Sequence, residues 1–213
     1  NLDASLFTNS ATLNFNGPLT REGGGILNVT TTPGGNVSVD SAQDADANGI
    51  LPYGLANGED FVLVDGNGLL IANTAYTTLD ASGPNDAAQA VGNSTLIADA
   101  NASVLKVNNG NLNGDDNSIT TDAILFKGIN ATVRNATIMP IDDPGNDPNE
   151  FVLHAPTGGD RATLDDIIIV DNGAPTDVTF SATQGGSFTI NSQQSYTGDT
   201  FVNGGTLTIN GAN

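Results

Sequence analysis

Gly185-Gly186-Ser187-Phe188-Thr189-Ile190 and Gly204-Gly205-Thr206-Leu207-Thr208-Ile209 decide the fold of this chain, and Gly34-Gly35-Asn36-Val37-Ser38-Val39 repeats the phrase a third time. A glycine pair supplies a turn. The four residues after it alternate polar with aliphatic or aromatic side chains. A period of two places the large apolar residues on one face of a strand and Thr, Ser or Asn on the other. Self-similarity of this kind points to a repeat architecture.

Working outward, the other apolar bursts are equally short. Ile26–Thr30, Phe61–Val64, Ser103–Val107, Ile124–Phe126, Ile167–Val170 and Val178–Phe180 are strand-length, and most such bursts stop at Gly, Asn or Asp. Short strands at intervals of roughly ten residues fit a sandwich, a barrel or a solenoid. The glycine cadence favours the solenoid. So do 27 Asn and 24 Thr, since stacked parallel strands set like side chains about 4.8 Å apart, where amides and hydroxyls can form ladders. The expected fold is all-β, a right-handed parallel β-helix with loop excursions, over one unit spanning residues 1–213. Rungs of about 20–25 residues would give nine or ten of them, a rod near 45 Å.

Composition narrows the function. The chain has 213 residues, with 5 Lys and Arg against 24 Asp and Glu, for a net charge of -19. Nucleic-acid binding by phosphate neutralisation is excluded, because counterion release needs a basic patch. The absence of Cys excludes thiolate metal sites and disulfides. No apolar run reaches the ~18 residues of a membrane-spanning helix, so no membrane insertion by this segment is expected. The sequence starts at Asn1 in mid-pattern and is expected to be a mature or excised piece of something larger.

Three segments break the cadence: the acidic stretch 41–48, the stretch 80–92, and 142–150, which reads Asp-Asp-Pro-Gly-Asn-Asp-Pro-Asn-Glu. Within 80–92, Ala87-Ala88-Gln89-Ala90 suggests a helical turn. In 142–150 the prolines cannot donate to a ladder, so a loop is expected there.

Tyr196-Thr-Gly-Asp-Thr-Phe-Val-Asn-Gly-Gly-Thr-Leu-Thr-Ile-Asn-Gly-Ala-Asn213 closely resembles the autotransporter-associated β-strand repeat. Gly49-Ile-Leu-Pro-Tyr53, Asn57-Gly-Glu-Asp-Phe61 and Tyr76-Thr-Thr78 resemble a segment often found between such elements. The resemblance implies a right-handed parallel β-helix passenger at the cell surface of a bacterium; it does not imply an enzyme, and none is expected. Neither end carries a cap-like segment, so the unit is expected to continue into an identical neighbour. Copies of itself are therefore the expected partner, in a homopolymer or a tandem array.

Two oxygen-rich clusters are candidate calcium sites. Asp44-Ala-Asp46-Ala-Asn48-Gly49 matches the first half of a calcium loop, in which alternating oxygens converge on one hard cation and Gly makes the turn. Its twelfth position is Leu55 rather than a bidentate acid. Asp142, Asp143, Asn146, Asp147 and Glu150, with Asn149, form the densest cluster, and carboxylates so close repel unless a cation or water screens them. Asp115, Asp116 and Asn117 are a weaker candidate. A catalytic reading would use Asp165 and Asp166 with Arg161 and His154, as paired acids act on sugars in β-helical hydrolases. The Gly-His-Gly and Arg-Ile-Lys motifs of the pectin-degrading pattern are absent, and no catalytic residues are assigned. Asn28, Asn36, Asn93, Asn101, Asn130 and Asn135 open six glycosylation sequons, whose glycans would mark an outward face.

The expected function is therefore mechanical, an extracellular rod or filament. The alternative is a surface adhesin that binds glycan or neighbouring cells through 80–92 and 142–150.

Overall fold

The computed structural model describes residues 2–6, 12–21, 23–31, 35–42, 45–142, 148–182 and 184–211. The protein is all-β. A single-turn 3-10 helix, Leu79–Ala81, is the one helical element among the described residues. Contacts gather into two compact units, Asn1–Ala75 and Tyr76–Asn213.

The first unit holds β1 (Leu2–Leu6), β2 (Thr12–Leu19), β3 (Leu27–Thr31), β4 (Asn36–Ala42), β5 (Ile50–Ala56), β6 (Asp60–Val64) and β7 (Leu70–Ala72). β1, β3 and β5 pair in parallel, as do β2 and β4. Then the direction reverses, and β5–β6 and β6–β7 are antiparallel. This antiparallel hairpin interrupts the parallel pairing expected from the sequence. The cause is local. Asn57 and Gly58 both have positive φ, 55° and 65°, and the Glu59 amide donates to the Ala56 carbonyl at 3.0 Å. That is a type I′ turn, whose twist matches that of the antiparallel strands it joins. Gly68 closes the next turn at φ 77°, where a Cβ would sit 2.2 Å from the Val39 carbonyl oxygen. Leu51, Leu55, Phe61 and Val62 of this hairpin are fully buried.

The second unit contains β8 (Thr77–Thr78), β9 (Ala87–Val91), β10 (Ser94–Thr95), β11 (Ala100–Asn101), β12 (Val104–Asn108), β13 (Asn111–Asn113), β14 (Ser118–Thr120) and β15 (Ala123–Lys127). It continues with β16 (Ala131–Met139), β17 (Asn149–His154), β18 (Arg161–Ile169), β19 (Thr176–Ser181), β20 (Ser187–Ile190), β21 (Thr200–Asn203) and β22 (Thr206–Ile209). Every pairing between these strands is parallel. One sheet runs β8-β9-β12-β15-β17-β19-β21 and the other β10-β13-β16-β18-β20-β22, with β11 and β14 joined to the second through β16. From β9 onward the chain alternates between the two sheets.

Register turns this alternation into buried columns. Ala88, Leu105, Ile124, Leu153 and Phe180 lie beside one another in the first sheet, and Leu112, Val133, Leu164 and Ile190 in the second, all essentially without exposure. Between the sheets Phe188 meets Phe126 and Phe180 edge-on, at ring distances of 6.4 and 5.4 Å. Each such side chain contributes about 1.5–3 kcal/mol by leaving water. In the second sheet the residues between the inward ones face out, as the cadence requires; in the first sheet the intervening Leu125, Val152, His154 and Thr179 are buried as well, so both of its faces are covered.

The predicted helical turn at Ala87–Ala90 is instead β9. Ala88 and Ala90 are the small inward residues opposite Leu105 and Val107, and that burial overrides alanine's helix preference. The same strand occupies much of the predicted 80–92 loop. β16 and β18 each carry a kink, at Asn135 (φ 52°) and Asp166 (φ 55°). Asp116 (φ 66°) lies next to them, its amide donating to the Asn135 carbonyl at 2.9 Å. Asn and Asp are the side-chain-bearing residues that best tolerate this left-handed conformation.

Candidate functional site

Outward-facing residues of β16, β18, β20 and β22 stack in register. Thr132, Thr163, Thr189 and Thr208 form one row across the four strands. Arg161, Ser187 and Thr206 form the adjacent row. None of the four row threonines gives or takes a side-chain hydrogen bond with any described residue. Their hydroxyls are open to a ligand. Two residues further along each strand, side chains ladder across the sheet: Asn210 Nδ2 donates to Asn191 Oδ1 at 3.0 Å, an amide pair of the expected kind, and Asn191 Nδ2 donates to the Asp165 carboxylate at 3.2 Å.

The two rows floor a groove of about 520 Å³, walled by Gly158, Gly185 and Ile129. A smaller hollow of about 220 Å³, lined by Asn93, Asn109 and Asn111 among others, shares Ile129 and Asn130 with it. The two make one trough across the strands. Ile129 stands in the middle with 64% of its surface exposed. Among the described residues no carboxylate lines the trough, although the chain carries 24.

A buried ion pair holds the wall that presents Gly158 and Arg161. Asp160 accepts hydrogen bonds from Lys127 Nζ (3.0 Å), the Gly128 amide (2.8 Å), the Thr157 amide (2.9 Å) and Thr157 Oγ1 (2.8 Å). Burial pushes its carboxyl up, but the Gly128 amide, the Thr157 hydroxyl, Lys127 and the Thr157 amide together hold it below its ordinary value. The turn 157–161 is thus tied to the end of β15. Arg161 itself is exposed and makes no ion pair with any described residue.

The candidate calcium ligands are only partly placed. Asp44, Asp143, Asn146 and Asp147 lie outside the described residues. Asp142 is exposed, against Gly173, where an added Cβ would meet Asp142 Oδ1 at 2.9 Å. Glu150 sits half-buried on β17, opposite Asp177 of β19. Asp46 Oδ1 accepts the amides of Asn48 and Ile50, both at 2.8 Å. Asp65 Oδ1 does the same for Asn67 and Leu69, at 2.8 and 2.9 Å. The shared spacing Asp-x-Asn-Gly is therefore that of a side-chain-capped turn, used twice. Among the described residues no three of His, Asp and Glu gather to hold a cation.

Of the groups weighed for catalysis, His154 is fully buried on β17. Asp165 faces outward and is engaged by Asn191, whereas Asp166 occupies the kink. The sequence singles out Arg161 but not the threonine row around it. Thr132, Thr163, Thr189 and Thr208 are separated by 31, 26 and 19 residues, and no fixed period brings them together. Comparison with protein-family models, curated proteins and solved structures finds no match to this chain.

Proposed function

We propose that the chain is part of a right-handed parallel β-helix that serves as an extracellular structural rod at a bacterial surface, and that it stacks end to end on copies of itself. The strand alternation of the second unit supports the coil, and right-handed crossovers are the rule between parallel strands. The resemblance of Tyr196–Asn213 to the autotransporter-associated repeat supports the surface setting.

One observation carries the stacking. Among the described residues the buried columns reach β21 and β22, and no further strand pairs beyond them. Phe180 is buried, and the next residue in its row, Val202, is 51% exposed. Ile190 is buried, and its neighbour Ile209 is 61% exposed. Beside them the outer edges of β21 and β22 have no strand partner among the described residues. Unpaired edges next to apolar side chains are templates for another strand.

A second copy offers a matching edge. β2 is also unpaired on one side among the described residues, and it opens Thr12-Leu13-Asn14-Phe15-Asn16-Gly17. The stretch at β22 reads Thr206-Leu207-Thr208-Ile209-Asn210-Gly211. Leu13 and Phe15 are half-buried, while their partners one strand inward, Val37 and Val39, are buried. Laid against β22, β2 of a neighbour would continue the column of Ile209 through Phe15 and the Asn ladder through Asn16.

Electron microscopy of the purified chain at rising concentration tests this reading. Fibres or rods with a regular axial repeat are expected, and the double variant Val202→Lys/Ile209→Lys should remain monomeric. A wild-type chain that stays monomeric at every concentration would overturn the stacking.

A further inference from the structure

We infer that the trough across β13, β16, β18, β20 and β22 binds a linear, hydroxyl-rich polysaccharide of low charge density, with Arg161 taking an isolated carboxylate on it. The inference rests on the registered sheet and not on end-to-end assembly.

The lining argues for the ligand's chemistry. The row Thr132, Thr163, Thr189 and Thr208 offers hydroxyls that can both donate and accept, and Asn111 and Asn130 add amides of the same dual character. A ligand that is itself a string of hydroxyls can match such a surface at many points. From β13 to β22 the strand spacing gives a run of roughly 19 Å, so the partner must be extended across the strands. An extended peptide is a poor fit, because peptides add to sheet edges through backbone hydrogen bonds and not across a sheet face. Exposed Ile129 provides one apolar contact for the C–H face of a sugar ring.

Charge supplies the second argument. Arg161 is a cation without an acidic partner among the described residues, in a groove that no carboxylate lines. A guanidinium so placed is complementary to a carboxylate, with which it can form two parallel hydrogen bonds. The surrounding chain, at -19, repels a dense polyanion. A nucleic acid would need many such cations rather than one. The ligand that satisfies both conditions is mostly neutral with occasional acidic sugars. This places glycan recognition on the sheet face, and not on the predicted loops 80–92 and 142–150.

Isothermal titration with three probes tests the inference: a neutral β-glucan hexasaccharide, the same hexasaccharide bearing one uronic acid, and polygalacturonate. The singly carboxylated probe should bind best, and polygalacturonate should bind more weakly than it at low salt. Arg161→Gln should reduce affinity for the acidic probe roughly tenfold, to the level of the neutral one. Thr163→Val/Thr189→Val should weaken both hexasaccharides, with the melting temperature confirming an intact fold. The inference is overturned if neither hexasaccharide binds, if polygalacturonate binds tightest, or if affinity is unchanged in both the Arg161 and the threonine variants.

Discussion

Lys127 Nζ donates to Asp160 Oδ2 at 3.0 Å, and both side chains are buried. The pair links the end of β15 to the turn before β18, and so connects two rungs 33 residues apart in sequence. A buried pair of this kind contributes less by its attraction than it costs when one member is removed. Asp160→Asn removes the carboxylate that the buried ammonium faces at 3.0 Å, and the unfolding free energy should fall by about 3–5 kcal/mol. Lys127→Met should cost less, because three protein donors still satisfy the carboxylate. The double variant Lys127→Met/Asp160→Asn should recover part of the loss. Urea unfolding of the four proteins measures this coupling, and strictly additive losses would show that the pair acts as two separate residues.

Acid should unfold the second unit through the same carboxylate. The folded Asp160 lies below its ordinary value. So does Asp171: burial raises it, but the Thr197 hydroxyl and amide and then the Thr176 amide outweigh that effect. A carboxyl depressed in the folded state contributes stability that is fully present above its unfolded pKa, about 3.9. That stability is lost as pH falls through the lower folded value. The melting temperature should therefore hold between neutral pH and about pH 5, and drop below about pH 4. In Asp160→Asn the drop should be shallower from a lower starting point. A variant with the same acid slope as wild type would place the titrating group elsewhere.

The period-two phrase at Gly185 and Gly204 was enough to read the strands, because alternation depends only on neighbouring residues. It also gave the inward set, and Phe188, Ile190 and Val37 are buried as it requires. Parallel pairing was legible only as a class. Which strand lies beside which depends on the residues between them, and Val133 finds Leu164 across 31 residues whereas Ile190 finds Ile209 across 19. The hairpin at Asn57-Gly58 has a short-range signal of its own, since that dipeptide selects a type I′ turn. The wider repeat pattern points the other way there, and the turn wins because both of its residues adopt positive φ at little cost. The trough was not legible, because its threonines come from four strands joined by loops of unequal length. Asp46 was legible as an oxygen ligand by spacing alone, and the same spacing serves a turn whose acceptor is already engaged by amides.

The kink at Asn135 and Asp166 makes a separable claim about why this chain is so rich in Asn and Asp. Both residues hold left-handed backbone between inward-facing neighbours, Ala136 and Val133 on one strand and Leu164 and Ile167 on the other. A β-branched residue there meets the steric penalty of that conformation, about 1–2 kcal/mol. Asn135→Val should destabilise by that amount plus the lost hydrogen bond from Asn135 Nδ2 to Asn113 Oδ1 at 2.8 Å. Asp166→Gly should be close to neutral, because glycine needs no side-chain compensation at positive φ. Thermal unfolding distinguishes the two, and an Asp166→Gly variant as damaged as Asn135→Val would mean that the side chain, and not the backbone, sets the kink.

Salt should promote self-association. Copies that each carry -19 repel as they approach. The range of that repulsion shrinks from about 10 Å at 0.1 M salt to about 3 Å at 1 M. The contact proposed between β22 and β2 is made of apolar side chains and backbone hydrogen bonds, which salt screens little. Sedimentation velocity across a sodium chloride series should therefore show the assembled fraction rising with ionic strength. Val202→Lys/Ile209→Lys should stay monomeric throughout, because two ammonium groups would have to be buried at the joint. Assembly that dissolves as salt rises would instead identify ion pairs as the adhesive, and would reject stacking through Val202, Leu207 and Ile209.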